Sequence, residues 1–200
     1  MPDLIRNTES SSEVQLGLLL LGRFDVADSL RMPGETLETE IARYLSFPHV
    51  KAAGVSDYAG LKAWIRETAP GCEEKAKTAI RAKEEFGHSS WYSWSIANWG
   101  TKWNAYSFRL IAEDDDQLDF SFDTAWSPPE PIFAALANRP ECEGLTIDIL
   151  SFDEGWLFAF GAVISDGTYL GETVEPTPEF YEQVYGVACP DEEEDEGGEA

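Results

Sequence analysis

No lysine or arginine follows Arg139, although seventeen aspartates and glutamates do. A surface of one sign repels phosphodiester backbones and lipid headgroups, so direct nucleic-acid binding is disfavoured and a protein partner with a basic surface is favoured. Cysteine is scarce. Cys72, Cys142 and Cys189 are odd in number and widely spaced, which gives no basis for a disulfide framework or a zinc site and reads as free thiols in a reducing compartment. His49 and His88 are the only histidines, too few to suggest a metal centre. The longest apolar runs, residues 14–21 and 156–164, fall far short of the roughly 20 residues that cross a bilayer, so no membrane span is expected. Met1 to Arg6 lacks the basic and apolar stretches of a secretory signal, and a cytoplasmic location is expected. Glycine patterns for phosphate loops, dinucleotide folds and nucleophile elbows are missing. No cofactor or catalytic residue is expected.

What is present suits one domain: 200 residues, 43% hydrophobic. The net charge of −24 divides into −4 over residues 1–50, +1 over 51–86, −4 over 87–139 and −17 over 140–200. Asp3 to Asn7 is expected as a short strand and residues 12–21 as a buried helix that Gly22 ends, followed by an extended segment from Phe24 to Pro33. Thr36 caps a helix with Leu37, Ile41, Tyr44 and Leu45 on one face, stopped by Pro48. Residues 57–68 and 73–86 repeat the helical pattern, so a helical insert is placed at about 36–88. Lys75, Lys77, Arg81 and Lys83 make its densest basic stretch. Balanced by Glu73, Glu74, Glu84 and Glu85, they read as a solvated face, with nucleic-acid binding as the alternative.

From Asn104 the apolar period changes from helical to two. Tyr106, Phe108 and Leu110, then Leu118, Phe120 and Phe122, flank an acidic turn and predict a hairpin. A helix over Ile132 to Asn138, strands over 146–152 and 156–164, an Asp166-Gly167 turn and a short amphipathic helix after Pro178 follow. This order predicts an α+β fold: a ferredoxin-like antiparallel sheet with helices on one face, as one domain over 1–190 before a disordered acidic tail at 191–200.

Trp91, Trp94, Trp99 and Trp103 crowd the bend between helix and sheet. Ser90 can cap a helix there and Gly100 can end it, which predicts that the indoles form the core seam. The alternative is a stacking surface, with Lys102 beside Trp99 and Trp103 to take a base, a sugar or a partner's arginine. Asn98, Thr101, Lys102 and Asn104 are polar groups among large aromatics, and either the protein or a ligand must satisfy them. Trp126 is expected to cover the sheet end. Asp153 and Trp156 sit at a tight turn and complete the candidate binding set.

Trp91 to Tyr106, then Phe122-Asp123-Thr124-Ala125-Trp126-Ser127-Pro128-Pro129 and Phe152-Asp153-Glu154-Gly155-Trp156, resemble the YubB/Api92-like proteins with a ferredoxin-like domain. Phe24-Asp25 and Met32-Pro33-Gly34-Glu35 look like that family's N-terminal elements. The resemblance implies the fold and a setting on plasmids, phages or integrated elements, and it carries over no catalytic residue.

The expected function is a non-enzymatic interaction module of a mobile genetic element, acting through the acidic surface of Glu141, Glu143, Asp148, Asp153, Glu154, Asp166, Glu172, Glu175, Glu179 and Glu182. One form of it is imitation of nucleic acid to counter a host defence or nucleic-acid-handling system. A small-ligand module or enzyme with a pocket beside Trp99, Lys102, Trp103 and Asp153 is the rival.

Overall fold

Asp3 to Arg6 forms a helix, α1, in place of the expected strand. Asp3 in its first turn and Arg6 in its last suit the helix dipole, and Ile5 is fully buried. So short a segment carries no periodicity to separate the two states. The computed structural model describes residues 1–28 and 30–190. The tail expected at 191–200 lies outside the described residues. The chain divides into two compact units at Asn98 and Trp99, where sequence length alone suggested one domain with an insert.

The first unit is helical throughout its regular structure. α2 (Ser12–Leu21) begins where the Ser11 hydroxyl accepts the Val14 N–H, and it ends at left-handed Gly22, with the Arg23 N–H returning to the Leu18 carbonyl. Leu18 and Leu19 are fully buried, each contributing about 1.5–3 kcal/mol of apolar burial. Phe24 to Val26 is a short 3₁₀ turn, not an extended return, and both of its apolar side chains are buried. α3 (Leu37–Ser46) carries a reciprocal cap between Thr36 and Thr39. Pro48 does not merely stop that helix but opens α4 (Pro48–Ala52), because a first-turn proline has no N–H to lose. In α5 (Tyr58–Thr68), Leu61 and Ile65 meet α2 in a core that includes Leu19, Phe24 and Val50. α6 (Cys72–Phe86) packs Ala76 and Ala79 against Val14 and Leu18. α7 (Trp91–Trp99) has the Ser93 N–H on the Ser90 hydroxyl at 3.2 Å and left-handed Gly100 after it. The helices expected at 12–21 and after Ser90 form, and no strand precedes Tyr106 among the described residues, so the helical region is not an insert between strands.

The second unit has the α+β, antiparallel character expected. β1 (Tyr106–Glu113) pairs with β2 (Leu118–Asp123) through an irregular register, with Ser107 at φ 53°. α8 (Glu130–Leu136) leads to a meander of β3 (Ile147–Phe152), β4 (Ala159–Ser165) and β5 (Thr168–Val174), closed by α9 (Pro178–Tyr185). The hairpin and the meander are separate ladders among the described residues. On one face of the meander Ile147, Ile149, Phe160, Ala162 and Ile164 bury Phe133 and Ala137 from the α8 segment. Strand β4 is shorter than expected because the chain turns through Trp156, at φ 57°, before pairing begins. Asp166 and Gly167, both at positive φ, make the predicted hairpin turn.

Candidate functional site

Gly100 and Thr101 lock the aromatic bend of the second unit to the loop that follows β2. A Cβ on Gly100 would stand 2.7 Å from Pro131 Cδ, and its φ of 76° suits glycine, so this residue permits both the turn and the close approach. Thr101, only 2% exposed, donates its hydroxyl to the Ala125 carbonyl at 2.8 Å and accepts the Ala125 N–H at 3.1 Å. Thr124 donates its hydroxyl to the Ser127 carbonyl at 2.8 Å, and Ser127 donates its own to the Gly100 carbonyl. These bonds fix Trp126 with φ 73°, a left-handed conformation that costs a bulky residue about 1–2 kcal/mol.

The outcome is a lysine held over two indoles. Lys102 Nζ lies 4.5 Å from the Trp103 ring centroid and 4.3 Å from that of Trp126. Trp103 is 51% exposed and Trp126 61%. Among the described residues Lys102 enters no salt bridge.

The indoles are thus not the core seam that the sequence suggested. Trp91, Trp94 and Trp99 are partly exposed, and among the described residues no core cluster contains any of the four. Trp126, expected to cover the sheet end, is 61% exposed on a left-handed backbone. Of the polar set, Asn98 Nδ2 donates to the Trp94 carbonyl at 2.9 Å, and Asn104 Oδ1 accepts the Ala105 N–H at 3.0 Å.

Asp153 and Trp156 belong to another cluster. The Asp153 carboxylate accepts the N–H groups of Gly155 and Leu157, both at 3.1 Å, and so serves its own turn. Trp156 stacks on Tyr181 at 5.8 Å and meets Phe152 edge-on at 4.8 Å, so it anchors α9 to the meander. Burial first, then the Tyr181, Asp123, Glu154 and Asp153 charges, push the neighbouring Tyr185 phenol up.

The acidic set lies on the second unit. Glu141, Glu143, Asp148, Glu154, Asp166, Glu172, Glu175, Glu179 and Glu182 are exposed, Asp153 is half-buried, and none of the ten enters a salt bridge among the described residues. On the meander face opposite α8, the cross-strand rows Asp148, Val163, Leu170 and Leu150, Gly161, Glu172 form one patch. Leu170 is 70% exposed there, and Leu150 and Val163 are also exposed. Sequence reasoning passed over these three apolar residues, because β4 is apolar on both parities and only packing tells which face a helix covers.

The basic stretch of α6 is largely engaged within the helical unit. Lys75 bridges Glu9 and Glu13, Lys77 bridges Glu73 and Glu74, and Lys83 bonds Asp28, while Arg81 stays exposed. A cleft of about 450 Å³ beside Lys83 is lined by Asp28, His88, Tyr92, Ser93 and Ile96 among others. It includes none of the residues proposed for a ligand pocket. Among the described residues no acidic, histidine or cysteine cluster could hold a metal ion, and no helix is long and apolar enough to cross a membrane.

Residues 98–146 match the family model of the ferredoxin-like domain in Api92-like protein. That segment is similar to the Api92-like domain. The similarity spans Thr101, Lys102, Trp103, Trp126, the hairpin and α8, and covers about a quarter of the chain. No curated protein and no solved structure matches the chain. The Api92-like segment thus carries the lysine held over two indoles, while most of the acidic set follows it in sequence.

Proposed function

We propose that this chain is a non-enzymatic protein-interaction module that binds a basic partner through the exposed part, beside α9, of the meander face opposite α8. The observation that carries the reading is the patch of Leu150, Val163 and Leu170 flanked by Asp148 and Glu172, on a segment without a cation. An apolar centre with a polar rim is the anatomy of a protein interface, and carboxylates of one sign select a positive partner and speed its approach. The same field disfavours nucleic acid as the ligand, and the internal pairing of Lys75, Lys77 and Lys83 supports a solvated α6 over a phosphate-binding one.

The resemblance to Api92-like proteins supports a setting on a mobile genetic element, where a rival of nucleic acid for a host defence or repair protein would have a use. Free thiols at Cys72, Cys142 and Cys189 fit a reducing compartment such as the cytoplasm.

The test is capture of partners from host cells by the unaltered protein and by a variant carrying Asp148→Lys and Glu172→Lys. Basic proteins released by the variant, and displaced by DNA from the unaltered one, are the expected result. Capture that survives charge reversal removes the reading.

A further inference from the structure

We infer that Trp103 and Trp126 form a cage for a cation, occupied in the free protein by the chain's own Lys102 and opened when a cationic side chain of a partner displaces it. Indole faces carry negative potential, and an ammonium placed over two of them sits where an arginine or alkylated lysine would be recognised. Lys102 Nζ occupies that place at 4.5 and 4.3 Å from the two centroids.

The backbone under Trp126 points to a built site. Trp126 is kept on a left-handed backbone at φ 73°, where glycine or asparagine is at ease and a large aromatic is strained. Its side chain stays 61% exposed, so a ring face is within reach of a ligand. The backbone beneath it is also over-determined, by the Thr101 hydroxyl on both polar groups of Ala125 and by the Gly100 contact with Pro131.

The sign of the ligand follows from the surroundings. Residues 99–190 carry seventeen acidic groups against Lys102, Arg109 and Arg139, a field that draws cations and repels anions. Lys102 is tethered beside the rings and acts as a competitor, lowering apparent affinity by the fraction of time it is in place. Two exposed cation–π contacts make that competition worth roughly five- to thirtyfold. The inference rests on the proposed basic protein partner only for where the cation comes from.

Tetramethylammonium chloride, titrated against sodium chloride at equal ionic strength, is the probe, and the indole N–H resonances of Trp103 and Trp126 are the readout. In the unaltered protein these two should shift. Lys102→Met, which keeps the stem and removes the charge, should tighten binding roughly five- to thirtyfold. Trp126→Gly should abolish it without lowering the melting temperature, since glycine relieves the strained backbone. Unchanged affinity in K102M, or binding retained in W126G, overturns the cage. So does a shift caused by inorganic phosphate that K102M abolishes, because Lys102 would then be the receptor and not the occupant. Loss of partner capture in the Asp148→Lys, Glu172→Lys variant, together with no tetramethylammonium response, overturns the cage alone and leaves the proposed module standing. A K102M response without any effect of that charge reversal on capture supports the cage and removes the module reading.

Discussion

Gly17 of α2 lies against Ala76 of α6, so close that a Cβ added to Gly17 would stand 2.7 Å from the Ala76 Cβ and 2.1 Å from the Cys72 carbonyl oxygen. The obstruction is partly backbone and cannot rotate away. Gly17→Ala should therefore destabilise the helical unit by about 1–3 kcal/mol through overpacking, even though alanine gains roughly 1 kcal/mol of helix propensity. Urea unfolding followed by circular dichroism measures it. A variant as stable as the parent would mean that α2 and α6 separate at little cost.

Asp28 links the segment after the 3₁₀ turn to the start of α7. Its carboxylate accepts the Ser89 N–H at 3.0 Å and bonds Lys83, while its own N–H donates to the Ser89 hydroxyl at 3.1 Å. Burial is the largest influence and opposes ionisation, yet the Lys83 ammonium and the Ser89 N–H outweigh it and hold the carboxyl below its usual range. A folded-state value below the unfolded one stabilises the fold above the unfolded pKa of about 3.9 and loses that contribution as pH falls through the lowered value. Asp28→Asn should cost about 1–3 kcal/mol at neutral pH. The gap from the parent should close below about pH 4. A gap that is constant from pH 7 to pH 3 would show that the carboxylate's charge contributes nothing.

Cys72 differs from the other two thiols. It is buried at the start of α6, and burial first, then the Glu73 and Glu13 charges, push its thiol up. Cys142 and Cys189 are partly exposed. Labelling with a thiol reagent at pH 8 should modify two cysteines readily and the third only as the fold opens. Peptide mapping should place the slow site at Cys72. Rapid reaction there in the native protein would contradict the packing of α2 on α6.

Much of this architecture was legible because local chemistry and packing agree. Ser11, Thr36 and Asp57 cap the helices they precede, Gly22, Gly87 and Gly100 follow helices in left-handed conformations, and Asp166-Gly167 makes the hairpin turn. The failures have a common cause, in that tertiary context decided them. Glu40 reads as an ordinary surface acid, yet it is 1% exposed because Gln15 and Arg43 converge on it. Trp126 carries no turn signal, since nothing in Ala125-Trp126-Ser127 announces a positive φ, and its backbone is set by Thr101, distant in sequence. The pairing of Lys102 with Trp103 is readable from adjacency, whereas its second indole is not. Which face of the meander α8 covers could not be read from β4, apolar on both parities.

The Thr101 contact supplies the sharpest test of that candidate site. Its hydroxyl is both donor and acceptor to Ala125, so valine, nearly the same shape, leaves a buried carbonyl and a buried N–H without their partner. Thr101→Val should lower stability by about 1–3 kcal/mol, the cost of unsatisfied buried groups. Thr101→Ser restores the hydroxyl and should recover most of the loss, leaving only the missing methyl. Because Ala125 directly precedes Trp126, the valine variant should also free that indole from Lys102 and alter its fluorescence, while serine keeps the parent spectrum. Equal stability and spectra in all three proteins would mean that the Thr101 hydrogen bonds do not hold Trp126.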